Sequence, residues 1–167
     1  MEFIFLIIIF YIGIISISIA FGIIQIIAMW KLFEKAGEPG WTSIIPIYNY
    51  LQMIKIATGS YFLGWIYLGI SGLYIAVTIF STVIGIFADN NEYSVIIYIG
   101  IMLTMFAITI AMCILAGYIS FMFGKAYGKP TVWNVCMIFF SQIMIIIMGF
   151  DKNTVYTSTN GTPQNYT

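Results

Sequence analysis

The sequence predicts an all-α integral membrane protein: four transmembrane helices plus a short interfacial helix between the first two. Three observations carry that prediction. Hydrophobic residues make up 62% of the 167 and charged residues only 7%, whereas about a quarter of a soluble domain is charged. So few charges cannot cover a water-facing surface. The apolar residues come in long unbroken runs, not in alternating ten-residue segments, which selects helices over a barrel as the way to satisfy the backbone in lipid. The one long polar interruption, Lys31 to Ser60, lies between two such runs and carries three lysines and two prolines.

The first span is predicted over 3–30. Its 28 residues exceed the roughly 20 that a bilayer needs, so it must tilt or project. No basic segment precedes it and no small-residue cleavage pattern follows, so it does not read as a cleavable signal peptide. Ser16/Ala20 and Ser18/Gly22 have the small-xxx-small spacing that lets helix backbones approach one another in lipid. Gly37, Pro39 and Gly40 then end the helix. Trp41 opens an interfacial segment over 41–57, whose helix from Ile45 to Ala57 lies on the membrane or dips partly into it; Ile47, Leu51 and Ile54 form an apolar stripe with Asn49, Gln52 and Lys55 off it. Trp41, Tyr48 and Tyr50 are expected at the lipid headgroups. Further spans are predicted over 61–87, 94–123 and 132–150, followed by a Thr- and Asn-rich tail, 151–167, expected to be disordered.

Lysine placement orients the spans. Lys31, Lys35 and Lys55 lie in the first connection and Lys125 and Lys129 in the third, while the second, with Asp89 and Glu92, has none. Five of six lysines therefore share a side, and positive-inside bias makes 31–60 and 124–131 cytoplasmic. With four crossings, both termini lie outside a cell membrane. The Asn160 and Asn165 sequons then fall in an external tail, although chance occurrence in such a tail is the simpler account.

The stretch Trp30 to Asn49, W-K-L-F-E-K-A-G-E-P-G-W-T-S-I-I-P-I-Y-N, resembles the signature of a family of small prokaryotic membrane proteins of unknown function. Some members of that family are labelled as, or fused to, signal peptidase I. Phe123-Gly124-Lys125 and Gly149-Phe150 with Tyr156 resemble its second block, while the middle spans are more expanded. The resemblance implies a shared fold and no activity.

The chemistry is largely negative. With no histidine, and Cys113 and Cys136 on separate spans, no metal site and no cofactor site is expected. The absence of arginine and a net charge of zero leave no footprint for nucleic acid. A Ser43–Lys55 dyad is conceivable, but Lys55 reads better as a snorkelling interfacial lysine. No Asp, Glu or Lys lies mid-span, against a proton-coupled pathway. The polar residues inside spans, Gln25, Thr78, Thr104, Thr109, Asn134 and Gln142, read as interhelical hydrogen bonds. The functional alternative is a polar-lined path or a quinone or lipid pocket, with Asn134 and Gln142 as its best markers.

The polar block has two meanings as well. It turns the chain at the membrane surface, or it offers a partner or lipid-headgroup contact through Lys31, Lys35, Trp41, Pro46, Tyr48, Asn49, Lys55, Lys125 and Lys129. The expected role is non-enzymatic: a structural or accessory subunit contacting the bilayer and a membrane-protein partner or a second copy. The alternative is a small oligomeric transporter, channel or lipid-binding protein.

Overall fold

The computed structural model describes residues 2–87 and 92–157. Five helices follow one another: α1 (Glu2–Lys35), α2 (Pro46–Thr58), α3 (Phe62–Phe87), α4 (Glu92–Ala126) and α5 (Thr131–Phe150), with a 3₁₀ turn, Gly40–Ser43, before α2. No strand occurs among the described residues. Helices α1, α3, α4 and α5 are long and apolar enough to cross a membrane, so the chain is an all-helical membrane protein. At 1.5 Å per residue, α1 and α4 each run about 50 Å, well past a hydrocarbon core of about 30 Å.

The same closing motif ends α1 and α4. At Gly37 (φ +75°) the chain turns left-handed, Gly37 N–H donates to Glu34 O and Glu38 N–H reaches back to Phe33 O at 2.9 Å. At Gly128 (φ +65°) the pattern repeats, with Gly128 N–H to Lys125 O and Lys129 N–H to Gly124 O. Both are Schellman closures, which satisfy carbonyls that a helix end leaves orphaned.

Packing is concentrated where α1 and α4 end. Ala28, Leu32 and Phe33 of α1, Ile54 of α2, Phe123 of α4 and Met148 of α5 are fully buried together. Helix α5 lies between α1 and α4, and α2 packs on α4 and α3. Away from that end the helices thin out. Every side chain from Phe3 to Phe21 is exposed in the isolated chain, and a Cβ added at Gly13 or Gly22 would meet nothing within 4 Å. The small-residue face of α1 is therefore not used inside the chain. Ser16 and Ser18 donate instead to their own helix at Ile12 O and Ile14 O.

Helix α5 is not straight. Phe140 has non-helical angles (φ −123°, ψ 36°) that divide it into two half-helices. A straight helix of 20 residues would hold its ends about 30 Å apart. Yet Lys129 Nζ, before α5, lies 3.1 Å from Asp151 Oδ2, after it. The Thr157 N–H donates to Ala126 O at 2.8 Å, and the Tyr127 and Tyr156 rings meet edge-on at 5.6 Å. The first half-helix runs back along α4, with Ile138 against Gly117 and Asn134 and Met137 against Gly124. The second half returns beside α1, with Gly149 against Ala28. Helix α5 is thus a helical hairpin whose two ends lie at one end of the bundle.

Two expectations meet this geometry. The run over 132–150 has the length and composition of a fourth span but doubles back at its midpoint. The tail expected to be disordered from Asp151 is ordered through Thr157, with Thr154 buried. Asn160 and Asn165 lie outside the described residues.

Candidate functional site

The polar block folds into an elbow joining α1 to α2. The Trp30 indole donates to Glu34 Oε1 at 2.6 Å and covers Gly40, where any Cβ would strike its ring. Pro46 starts α2, where its missing N–H costs nothing. Asn49 Nδ2 donates to Ser43 O at 3.1 Å, pinning the 3₁₀ turn. Lys55 closes the elbow through an ion pair with Glu38 at 2.5 Å. Trp41 and Tyr48 face outward, their rings 6.2 Å apart, beside exposed Ile44 and Ile47.

On α2 the predicted stripe holds in part: Leu51 and Ile54 are buried and Ile47 is exposed. Gln52, expected to face away from the apolar stripe, is 4% exposed, and its Oε1 accepts from the Tyr61 hydroxyl at 3.1 Å. Tyr50, expected at the headgroups, packs on Tyr67 with ring centroids 4.4 Å apart.

The lysines have intramolecular work. Lys35 Nζ donates to the carbonyls of Met148, Gly149 and Asp151 at 3.0, 3.3 and 2.7 Å, capping the end of α5 from α1. Lys31 lies over the Phe150 ring at 4.0 Å, and Lys129 lies over Trp133 as well as pairing with Asp151. Lys125 and Lys152 are exposed. Hydrogen bonding and burial act in opposite directions on Lys55, and the bond to Glu38 dominates, raising its pKa. Lys55 is thus paired with Glu38, and a lysine in its charged form is a poor general base for Ser43.

The Thr154 hydroxyl, the Asn153 N–H and Lys129 together hold the Asp151 carboxyl down at about 2. A carboxyl that titrates near 4 when unfolded and lower when folded contributes stability above about pH 4. That contribution drains away as the pH falls from about 4 toward 2. Thermal midpoints in detergent will therefore drop over this interval, and Asp151→Asn will flatten the drop. An unchanged profile in the variant would assign the acid response to other groups.

Of the polar span residues, Thr78, Thr104 and Thr109 bond to carbonyls of their own helices, at Tyr74, Ile101 and Met105, and not to neighbouring helices. Asn134 is 2% exposed and its Nδ2 donates to Lys129 O at 3.1 Å, tying the α4–α5 turn to the first half-helix. Asn134 and Gln142 were expected on broadly one side of a straight helix. The fold at Phe140 places them on different half-helices, with Gln142 close to the hairpin tip.

Gln25 and the exposed Gln142 both line a cavity of about 350 Å³ to which all five helices contribute. Its polar wall is Gln25, Asn49, Tyr50, Ser120, Ser141 and Gln142; Met29, Met53, Ile119 and Ile145 supply apolar surface. Gln25 Oε1 and the Tyr50 hydroxyl are buried without a hydrogen-bond partner. The Tyr67 phenol is the electrostatic neighbour of that hydroxyl, though the approach falls short of a hydrogen bond in geometry. Burial, then Tyr67, pushes the Tyr50 pKa above the usual tyrosine range, so the hydroxyl keeps its proton and remains a donor. Among the described residues, the side chains of Ser120, Ser141 and Gln142 make no internal hydrogen bond.

Sequence reasoning found Gln25 and Gln142 because an amide inside an apolar run stands out. It assigned Asn49 and Pro46 to the membrane surface and missed Tyr50, Tyr67 and Ser120, whose placement depends on α2 tucking beneath α3 and α4. Among the described residues, no three His, Cys, Asp or Glu side chains gather in a group that could hold a metal ion. Comparison of the chain with protein-family models, with curated proteins and with solved structures finds no match.

Proposed function

We propose that this is a non-enzymatic, multi-pass cell-membrane protein that binds a small uncharged ligand in the cavity between its five helices. The observation that carries this reading is that Gln25 Oε1 and the Tyr50 hydroxyl, two of the six buried polar side-chain atoms without a hydrogen-bond partner among the described residues, wall the same cavity; Ser43 Oγ, Gln52 Nε2, Trp133 Nε1 and Asn134 Oδ1 belong to residues outside it. A buried donor or acceptor left unpaired costs about 1–3 kcal/mol. Two in one cavity, beside three more uncommitted polar side chains, fit a site whose partner arrives from outside. The volume lies within the range of small-molecule pockets, about 300–1,000 Å³. The reading belongs with the lipid-binding or transporting alternative drawn from the sequence.

The test is mass analysis of the full chain released gently from its native membranes. A stoichiometric small molecule is expected on the wild type and lost in a Gln25→Leu, Gln142→Leu double variant of unchanged melting temperature. A folded wild type carrying nothing, or a double variant that keeps its molecule, would sink the reading.

A second reading rests on a separate observation. The apolar length of α1 from Phe3 to Phe21, with its open glycines, and open Gly69 and Gly72 on α3, present faces that the chain itself does not cover. These are surfaces for a membrane-protein partner or another copy, as an accessory subunit would have. A stoichiometric larger particle in the same mass analysis would favour this role. The resemblance of Trp30–Asn49 to the prokaryotic family is in keeping with either reading.

A further inference from the structure

A second concavity adjoins the cavity. Between α3 and α4 runs an apolar groove of about 350 Å³, lined by Tyr67, Ser71, Tyr74, Thr109, Met112 and Cys113. Tyr67 and Ala116 wall both spaces. Ser71 and Thr109 do not make the groove polar, because their hydroxyls are spent on Leu68 O and Met105 O of their own helices.

The two spaces are ordered along α4. Ser120 and Ala116 wall the cavity and Cys113, Met112 and Thr109 wall the groove, so the polar space lies nearer the Lys125 end. Ser120 is five residues from Lys125, about 7.5 Å along the helix axis. A lipid in the leaflet on the lysine side has this same order, head toward the surface and chain toward the bilayer centre. None of the residues lining either space is Asp, Glu, Lys or Arg. Burying a phosphate there with no cation would cost far more than burying a neutral group that hydrogen-bonds. A hydroxyl suits both orphaned groups, since it can donate to Gln25 Oε1 and accept from the Tyr50 O–H.

We propose that the ligand is a lipid alcohol, an amphiphile with an uncharged hydroxyl-bearing head in the Gln25–Tyr50–Gln142 cavity and an aliphatic chain in the α3–α4 groove. This rests on the binding function proposed above and adds the ligand's chemical class and direction.

The test uses the full chain and native mass spectrometry, with dioleoylglycerol, phosphatidylglycerol and decylubiquinone as probes. Dioleoylglycerol is expected to bind at least tenfold more tightly than either of the others. Tyr50→Phe and, independently, the groove-filling Cys113→Phe should each weaken it about tenfold; Ser71→Phe replaces the latter if Cys113→Phe does not fold. Phosphatidylglycerol binding equally well would overturn the neutral head. Preference for the quinone, which only accepts hydrogen bonds, would overturn the hydroxyl. Unchanged dioleoylglycerol binding in the groove variants, with loss in Tyr50→Phe, would overturn the chain placement and leave the cavity function standing. If dioleoylglycerol does not bind although the protein carries another molecule from its native membranes, this inference fails and the binding function survives.

Discussion

A thiol introduced at Val155 will be labelled from the same side of the membrane as one introduced at Lys125. Both positions are exposed, and the experiment needs only Cys113 and Cys136 replaced and a membrane-impermeant maleimide applied to vesicles of known orientation. A chain that crossed the bilayer at 131–150 would give opposite results at the two positions, so the readout is close to all-or-none. Same-side labelling is expected because the fold at Phe140 brings Asp151 to Lys129 and Thr157 to Ala126. Straightening α5 to cross would break that ion pair and the Thr157 bond. It would also release the three carbonyls that Lys35 holds. Hydrogen bonds to charged groups contribute about 1.5–3 kcal/mol each, and a crossing helix regains none of them.

Charge placement argues the same way. With α5 crossing, five of six lysines share a side and Lys152 is the exception. With α5 doubled back, Lys152 joins the others and all six lie together, the stronger form of the positive-inside bias. The N-terminus and the 151–157 segment are then on opposite sides. Labelling of Val155→Cys only from the side opposite Lys125→Cys would refute the hairpin as the membrane-embedded state.

The part of this fold that sequence reasoning reached is the part set by composition along the chain. Span lengths, the elbow at Gly37–Gly40 and the start of α2 at Pro46 follow from apolar run lengths and from residues with restricted backbone choices, which act locally. The doubling of α5 has no such signal. Phe139-Phe140-Ser141 contains neither Gly nor Pro, and the two half-helices read as one apolar run of ordinary span length. What holds the hairpin closed is distant in sequence: Lys35 on α5's last carbonyls, Lys129 on Asp151, Thr157 on Ala126. The cavity divides along the same line. Gln25 and Gln142 are visible because amides are costly in lipid, whereas a tyrosine near a membrane surface is ordinarily an interfacial anchor. Only the packing of α2 beneath α3 turns Tyr50 inward, onto Tyr67.

Replacing Gly149 with valine will destabilise the protein far more than the same replacement at Gly13. Both glycines lie inside long apolar helices, and propensity alone would favour substitution at each, since glycine is about 1 kcal/mol worse than alanine in a helix interior. Their surroundings differ. A Cβ at Gly149 would sit 2.7 Å from both Cα and O of Ala28, whereas one at Gly13 would meet nothing within 4 Å. The obstacle at 149 is backbone, so no side-chain rotation relieves it; α1 and the second half of α5 must move apart. Overpacking of this kind costs about 1–3 kcal/mol, and the two further methyls of valine add to the displacement. The cost also reaches beyond the contact, because Lys35 caps carbonyls at 148, 149 and 151, which move with the backbone. Gly149→Val should therefore lower the thermal midpoint in detergent by several degrees and speed proteolysis in the 151–157 segment, while Gly13→Val stays within about 0.5 kcal/mol of wild type. Equal effects at the two sites would mean that α1 and α5 do not meet at Ala28–Gly149 in the membrane. The hairpin would then lose its closest support along α1, since that contact brings its returning half against the span that carries Lys35.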